Sequence, residues 1–273
     1  MSRALEDTAV PGAIPAPPSR LIALVFPGDT NHHGTLFGGA GLALMDRIAF
    51  IAATRHGRVP FVTASVDRVD FQAPARVGEL VELVARVTRV GCKSMTVEVE
   101  MVAEGLVSGE RRLCTRGSFS MVAVPPPHAA PGWCLPPLAA VREEAGPGPC
   151  ASDIVFADQA NSFGRMFGGE ALAAMTRAAF VAATRHGRRI TVLAASERVD
   201  FRAPVAVGAI VDTVATVVRV GRTSMTVAVE LWSEDLMSGA RACTAKGRFV
   251  MVAVDGRDRP VPVRRDETVD KPS

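Results

Sequence analysis

The sequence predicts an α+β protein made of two similar halves, each a long buried helix wrapped by an antiparallel sheet. Three observations lead there. The chain repeats itself, each repeat holds one nearly all-apolar stretch with helical spacing, and β-branched segments follow that stretch in both copies. With 273 residues, 48% of them hydrophobic, the chain has the material for two ordinary domains.

The repeat has one constant offset of 130 positions. Phe37-Gly38-Gly39 returns as Phe167-Gly168-Gly169, and Ala53-Thr54-Arg55-His56-Gly57-Arg58 returns as Ala183-Thr184-Arg185-His186-Gly187-Arg188. The register continues without a gap through Val69-Asp70-Phe71 and Val199-Asp200-Phe201, Arg89-Val90-Gly91 and Arg219-Val220-Gly221, and Ser94-Met95-Thr96-Val97 and Ser224-Met225-Thr226-Val227. This sets repeat 1 at 21–124 and repeat 2 at 151–254. Between them, 125–150 is dense in Pro, Gly and Ala, which suits an extended linker better than a packed element. An arm at 1–20 and a charged, proline-containing tail at 255–273 are expected to be flexible.

Within repeat 1 the first element is the helix. Leu42, Met45, Ala49, Ala52 and Ala53 recur at helical spacing from Gly38 to about Arg55, and the alanine-rich sequence between them makes all sides apolar, hence buried. His56-Gly57 closes it, the histidine favoured by the helix dipole. Strands then follow at 61–71, 79–90, 94–103 and 114–124, separated by Gly, Pro and charged turns. One helix facing several antiparallel strands is a two-layer arrangement.

Composition excludes several classes of function. No apolar run approaches the length of a membrane span, and the first twenty residues, with two acids and several prolines, do not read as a signal or transit peptide. The net charge of +3 is mostly arginine interspersed with acids and without interleaved aromatics, which gives no nucleic-acid stripe. The five cysteines, Cys92, Cys114, Cys134, Cys150 and Cys243, are odd in number and lack C-x-x-C spacing or a histidine partner. They read as reduced packing residues of a cytoplasmic protein, with no metal site. His32 and His33 are adjacent on a loop, so their side chains are expected to point apart, as polar loop residues.

Asp29-Thr30-Asn31-His32-His33-Gly34-Thr35-Leu36-Phe37-Gly38-Gly39, followed on the helix by Leu44-Met45-Asp46, resembles the signature of the acyl-CoA hydrolase branch of the hotdog thioesterases. Val62-Thr63-Ala64-Ser65-Val66-Asp67-Arg68-Val69-Asp70-Phe71, Pro74, Val77-Gly78 and Arg89-Val90-Gly91 with Ser94-Met95 extend the likeness over nearly all of both repeats. The resemblance implies a tandem double hotdog in which the two sheets are continuous and an acyl-CoA thioester lies between the repeats. It also implies a homotrimer of such chains and no cofactor. For the substrate it implies contacts from Arg165, Phe167, Gly169, Ala64, Ser65, Lys93, Ser94, Arg222, Thr223 and Ser224, the last groups serving the pantetheine chain and the phosphates of CoA.

Elementary chemistry gives the same division of labour. Gly38-Gly39 and Gly168-Gly169 open helices, whose unpaired N–H groups and dipole favour a developing oxyanion. Asp46 lies eight positions after Gly38, roughly 12 Å along the axis, too far to serve the same carbonyl. Its target is therefore another helix start, and the duplication points to the Gly168 amide. Asp46 would act as a general base on water or as a nucleophile. The offset places Thr176 opposite Asp46, and threonine is no base near neutral pH, so one site is live and the other degenerate. Arg165 stands where the loop of repeat 1 has Thr35, and could orient Asp46, bind a substrate carboxylate or act through its charge. Glu170 replaces Ala40, as an alternate acid or a complement to the helix dipole. A non-catalytic acyl-CoA-binding module remains the competing class. A hydratase is disfavoured, because its Asp-His dyad is absent from the loop.

Overall fold

The computed structural model of the chain describes residues 17–67, 69–139 and 150–263. The expected flexible arm lies largely outside these residues, as do 264–273 of the tail and the second part of the linker, but 255–263 of the tail are held in place, with Val261 bonding to Ala253 and Val263 buried.

Each repeat follows one order. Repeat 1 runs β1 (Ser19–Leu24), α1 (Gly38–Gly57), β2 (Phe61–Val66), β3 (Asp70–Phe71), β4 (Leu80–Val90), β5 (Ser94–Glu104) and β6 (Arg111–Ala123). Repeat 2 runs β7 (Cys150–Ile154), α2 (Gly168–Gly187), β8 (Thr191–Ser196), β9 (Asp200–Phe201), β10 (Ile210–Val220), β11 (Ser224–Glu234) and β12 (Arg241–Ala253). The sheet order is β1-β4-β5-β6-β2 in the first and β7-β10-β11-β12-β8 in the second, antiparallel throughout, with the short β3 and β9 pairing β6 and β12. The chain thus has the tandem hotdog architecture: two helices, each packed against a curled antiparallel sheet.

The apolar stretch forms the helix it predicts. Met45, Ile48, Ala49 and Ala52 of α1 are buried against β4, β5 and β6, where Leu83, Val97, Val99, Phe119 and Met121 supply the facing side. Small alanines let helix and sheet approach closely, and the larger Met, Ile and Phe side chains fill the remaining space. Both helices end in a left-handed residue, Arg58 at φ 50° and Arg188 at φ 45°, and repeat 1 then turns at Pro60 into β2. The single strand expected at 61–71 is broken into β2 and β3, and β1 and β7 are strands beyond those the sequence reading foresaw.

The expected continuity of the two sheets is replaced by a different seam. The described ladders form two separate six-stranded sheets, with β1 lying against β7 and α1 also touching β7. Arginines from the helix ends cross this seam in both directions. Arg55 donates to Asp212 at 2.8 Å and to Glu234 at 2.9 Å, and Arg185 donates to Glu104 at 2.6 Å and to Glu82 at 3.0 Å. Arg58 and Arg188 add bonds to Glu234 and Glu104 at 2.7 and 2.9 Å. All four acids are buried, where a charge without such partners is costly. Gly109 and Gly239, at φ +70°, let Arg188 and Arg58 pass over them; a Cβ at either would sit 2.8 Å from a guanidinium carbon. Ile210 of repeat 2 is fully buried in the core of repeat 1, which adds an apolar contact to the ionic ones.

The linker and the cysteines depart from expectation together. Cys92 and Cys134 form a disulfide, and among the described residues Cys114 and Cys243 are free. The bond ties the first part of the linker to the β4–β5 turn. Leu135 is buried beside Gly57, its N–H bonds to the Cys92 carbonyl at 2.8 Å, and His56 Nε2 meets the Pro136 carbonyl at 2.8 Å. Trp133, Leu135 and Leu138 of the linker therefore pack onto the core of repeat 1 instead of spanning freely. In repeat 2 the same seat is filled by the tail, with Val263 bonding to the Arg222 carbonyl. Among the described residues no helix is long and apolar enough to cross a membrane, and no His, Cys, Asp or Glu cluster could hold a metal.

Candidate active site

The loop before each helix is folded by an asparagine. Asn31 Oδ1 accepts from the His33 and Thr35 amides at 2.9 and 3.3 Å, and Asn161 Oδ1 accepts from the Phe163 and Arg165 amides at 3.0 and 3.1 Å. These turns deliver Phe37 and Phe167 to the cap positions of α1 and α2. Phe37 folds back over Gly39 so closely that a Cβ there would lie 2.7 Å from the ring, which explains the second glycine of the pair. His32 and His33 do not point apart: their rings lie 3.9 Å from each other.

Asp46 sits half-buried on α1, and Thr63 Oγ1 of β2 donates to its Oδ1 at 2.6 Å. Successive residues on a helix are about 100° apart, so the next residue, Arg47, faces elsewhere. It reaches Asp153 at 3.2 Å and lies over the Phe156 ring, across the seam in repeat 2. Asp46 thus looks toward the β2 edge and Arg47 toward the other repeat. The intramolecular pairing of Asp46 with Gly168 expected from the sequence does not follow from this arrangement, because the acid points away from the seam. Thr176 and Leu193 occupy the positions of Asp46 and Thr63 in repeat 2, so both members of the pair are replaced there.

The two helix starts also differ. At α2, Gly168 has no neighbouring heavy atom near its Cβ position and opens into a cavity of about 290 Å³, walled by Met166, Phe201, Val205 and Leu231 and edged by Arg202. At α1 the same position meets Phe71, 3.7 Å away, and the Met101 methyl comes within 3.4 Å of the Cβ position of Gly41. Leu231 replaces Met101 in repeat 2 and lacks that long, flexible end. The α2 start is open in the repeat whose helix lacks the acid, and in the repeat that has Asp46 the α1 start has Phe71 at van der Waals distance.

The other expected contacts are dispersed. Ala64 and Ser65 lie exposed on β2, on the edge that Asp46 faces. Lys93 and Ser94 are exposed in the β4–β5 turn, and Ser94 pairs with Val122, which pairs with Val62, so they lie level with the start of β2. Arg222, Thr223 and Ser224 hold the matching place in repeat 2. From Ser224 to the cavity residue Leu231 is seven positions along β11, roughly 23 Å, so these three do not join the Gly168 cavity within their own repeat. Arg165 is exposed, and its backbone bridges Ala206 beside the cavity. Phe167, with 60% of its surface exposed, and Gly169 flank the Gly168 amide.

Comparison with known proteins gives a consistent picture. The family model for the thioesterase superfamily matches twice, over residues 33–110 and 163–240. A crystal structure of an acyl-CoA hydrolase from Agrobacterium tumefaciens is 56% identical, covering 92% of this chain and 99% of that one with a TM-score of 0.84. An uncharacterized acyl-CoA thioester hydrolase of Bacillus subtilis, YkhA, is 45% identical over 114 residues, 39% of this chain and 66% of its own length. The human cytosolic acyl coenzyme A thioester hydrolase is 37% identical over 110 residues, 40% of this chain and 29% of its own. The matches to these two curated relatives thus span about two thirds of one and under a third of the other. With the family pattern present in both repeats and a relative matched along almost its entire length, the chain belongs to the thioesterase superfamily.

Proposed function

We propose that the chain hydrolyses acyl-CoA thioesters at a site assembled between two copies of itself, Asp46 coming from one and the Gly168 amide from the next. The observation that carries this is the direction of Asp46. It is held by Thr63 and turned toward β2, an edge strand with a neighbour on one side only. That edge exposes Val62, Val66, Leu42 and Phe71, and the corresponding edge of repeat 2 exposes Val192, Leu193, Leu172 and Phe201. Unpaired strands with apolar side chains on a protein surface invite a partner strand. Docking β2 of one chain on β8 of another brings the acid to the open α2 start and the degenerate Thr176 to the α1 start beside Phe71.

In such a site the thioester oxygen accepts from the Gly168 N–H, where the α2 dipole stabilises the charge that develops on it. Thr63 occupies Oδ1 of Asp46 and leaves Oδ2 to take a proton from water. The water oxygen bonds to the carbonyl carbon, the C–S bond breaks, and the proton passes to the departing CoA thiolate. The names of the Agrobacterium, Bacillus and human relatives support the acyl-CoA substrate. Head-to-tail docking closes into a ring, and a homotrimer with three live sites is the assembly we assign. A cytoplasmic setting is supported by the name of the human relative, while the Cys92–Cys134 bond is of a kind rare in that compartment.

The test is hydrolysis of an acyl-CoA panel by Asp46→Asn and Thr176→Val. The first should lose about 10²–10⁴ in kcat, the usual worth of a positioned base, and the second almost nothing. Full activity in Asp46→Asn, or tight acyl-CoA binding without turnover in the wild-type protein, sinks the assignment.

A further inference from the structure

We propose that Leu231 and Ala245 set the acyl preference of this chain by leaving an apolar pocket under the first turn of α2, so that the favoured substrates carry an uncharged acyl chain of medium length. The inference rests on the thioesterase reading. It starts from a difference between the two helix starts. In repeat 1 the Phe71 ring lies 3.7 Å from the Cβ position of Gly38 and 3.8 Å from that of Gly41, and the Met101 methyl and a Leu36 methyl lie 3.4 and 3.5 Å from the latter. In repeat 2 no neighbouring heavy atom comes within 4 Å of the Cβ position of Gly168, and the space holds a cavity of about 290 Å³.

Strand register identifies the residues responsible. Leu231 stands opposite Ala245 and Ala245 opposite Phe201, so the three share one sheet face, the face that packs with Ala171 of α2. Met101, Thr115 and Phe71 form the matching row in repeat 1. Two members of that row change. Met101 becomes Leu231, one bond shorter and without the flexible thioether end. Thr115 Oγ1 donates to the Asp70 carbonyl at 3.0 Å and ties β6 to the strand that carries Phe71, whereas Ala245 has no hydroxyl to make such a tie. Ala171 for Gly41 and Val205 for Ala75 add carbon at the same place, and the cavity is there despite them.

The lining chooses the ligand. Ala171, Val205, Leu231 and Ala245 are buried and apolar, and the hydroxyl of Thr244 is spent on the Leu231 carbonyl at 3.1 Å. Arg202 follows Phe201 in the strand and so turns to the opposite face, near Glu230 and Cys243. A floor without a free polar group favours hydrocarbon over the amides and hydroxyl of the pantetheine arm, so the acyl chain is the part of the thioester that enters. An apolar cavity of about 150 Å³ admits benzene, with its six carbons. This one is larger, which suits chains of hexanoyl length and beyond.

The test measures kcat/KM on saturated acyl-CoAs from acetyl- to decanoyl-CoA. The variant Leu231→Met/Ala245→Thr puts the repeat 1 pair into repeat 2, and Leu231→Met alone conserves volume and so should fold as the wild type does. The wild-type protein should favour hexanoyl- or octanoyl-CoA over acetyl-CoA by about tenfold or more, since each buried methylene is worth about fourfold. The double variant should lose about tenfold on octanoyl-CoA and hold acetyl-CoA within about twofold, with Leu231→Met shifting the optimum the same way to a smaller extent. Met101→Leu/Thr115→Ala should leave the order of preference unchanged. A flat chain-length profile in the wild type, or an unchanged profile in both Leu231 variants, overturns the inference while leaving the hydrolase intact. An equal loss on every substrate, acetyl-CoA included, overturns it in favour of a structural role for the pair. No turnover of any acyl-CoA by the wild type overturns the hydrolase reading as well.

Discussion

Thr63 donates to Asp46 across 2.6 Å, and in repeat 2 the same two positions hold Leu193 and Thr176. The acid and its hydrogen-bond donor are present together in one repeat and absent together in the other, which ties Thr63 to the task of the acid more than to the shared fold. Thr63→Val keeps the shape of the side chain and removes the donor. Since such a bond is worth about 1–3 kcal/mol when one partner is charged, kcat should fall by about tenfold or more with little change in KM. Leu193→Thr should leave turnover as it was, because no acid awaits it on α2. Steady-state kinetics on a single acyl-CoA measures both, and an unchanged kcat in Thr63→Val would remove Thr63 from the site.

The Cys92–Cys134 bond closes a loop with a sequence separation of 42 residues and holds the linker over the end of α1. Closing a loop of that size restricts the unfolded chain by about 4 kcal/mol in the chain-entropy model. Dithiothreitol, or a Cys134→Ser variant, should therefore lower the melting temperature. The seat itself should persist, because Leu135 remains buried and repeat 2 fills the equivalent place without any disulfide. Calorimetry of oxidised and reduced protein gives the comparison, and equal melting temperatures would mean that the bond adds nothing to stability.

The seam between the repeats should fail in acid. Burial pushes the carboxyls of Glu82 and Glu104 up, but the hydrogen bonds and charges of Arg111, Arg185 and, for Glu104, Arg188 outweigh it and hold both below the usual glutamate range. A carboxyl whose pKa is lowered in the folded state contributes stability that is complete above its unfolded pKa and lost as pH falls through the folded one. Melting temperature should hold near neutrality and drop below about pH 4. Glu104→Gln leaves Arg185 and Arg188 partly buried without their acid, and should cost about 3–5 kcal/mol at pH 7, as breaking one side of a buried pair does. Denaturant unfolding of the variant checks the sign and the size together.

The helix and the repeat were legible because their signals are local and doubled: apolar spacing from Leu42 to Ala53, and glycine pairs at 38–39 and 168–169. Asp46 stood out as a candidate for the same reason, an acid in an apolar helix matched in repeat 2 by a residue of different chemistry. What the sequence could not give is which side of the helix faces the other repeat. That depends on Arg47 meeting Asp153 and Arg55 meeting Asp212, contacts between residues about a hundred or more positions apart. The repeated Ala-Thr-Arg-His-Gly-Arg tail held the signal, since Arg55 and Arg185 recur with the acids they bind at 82 and 212 and at 104 and 234. Thr63 was hidden inside a strand motif, and only its replacement by Leu193, in step with that of Asp46 by Thr176, marks it out. Cysteine spacing gave no sign of the disulfide, because Cys134 reaches Cys92 only through a linker that folds back.

The direction of Asp46 makes a prediction about mixtures of inactive chains. Asp46→Asn removes the base and leaves the Gly168 amide. Gly168→Pro removes the amide N–H and leaves the base, and proline is well tolerated at the first position of a helix, where Gly168 stands after the Phe167 cap. Each variant alone should be inactive by about 10²-fold or more, since loss of either a base or an oxyanion donor costs that much. If one site takes Asp46 from one chain and Gly168 from its neighbour, then unfolding and refolding the two variants together restores sites that have both. Random mixing in equal amounts should return about a quarter of the wild-type rate, because each position in a closed ring is filled independently. Light scattering should find the mixture with the mass of three chains. A site built within one chain gives no recovery at any ratio, since every chain then carries one lesion in its own site.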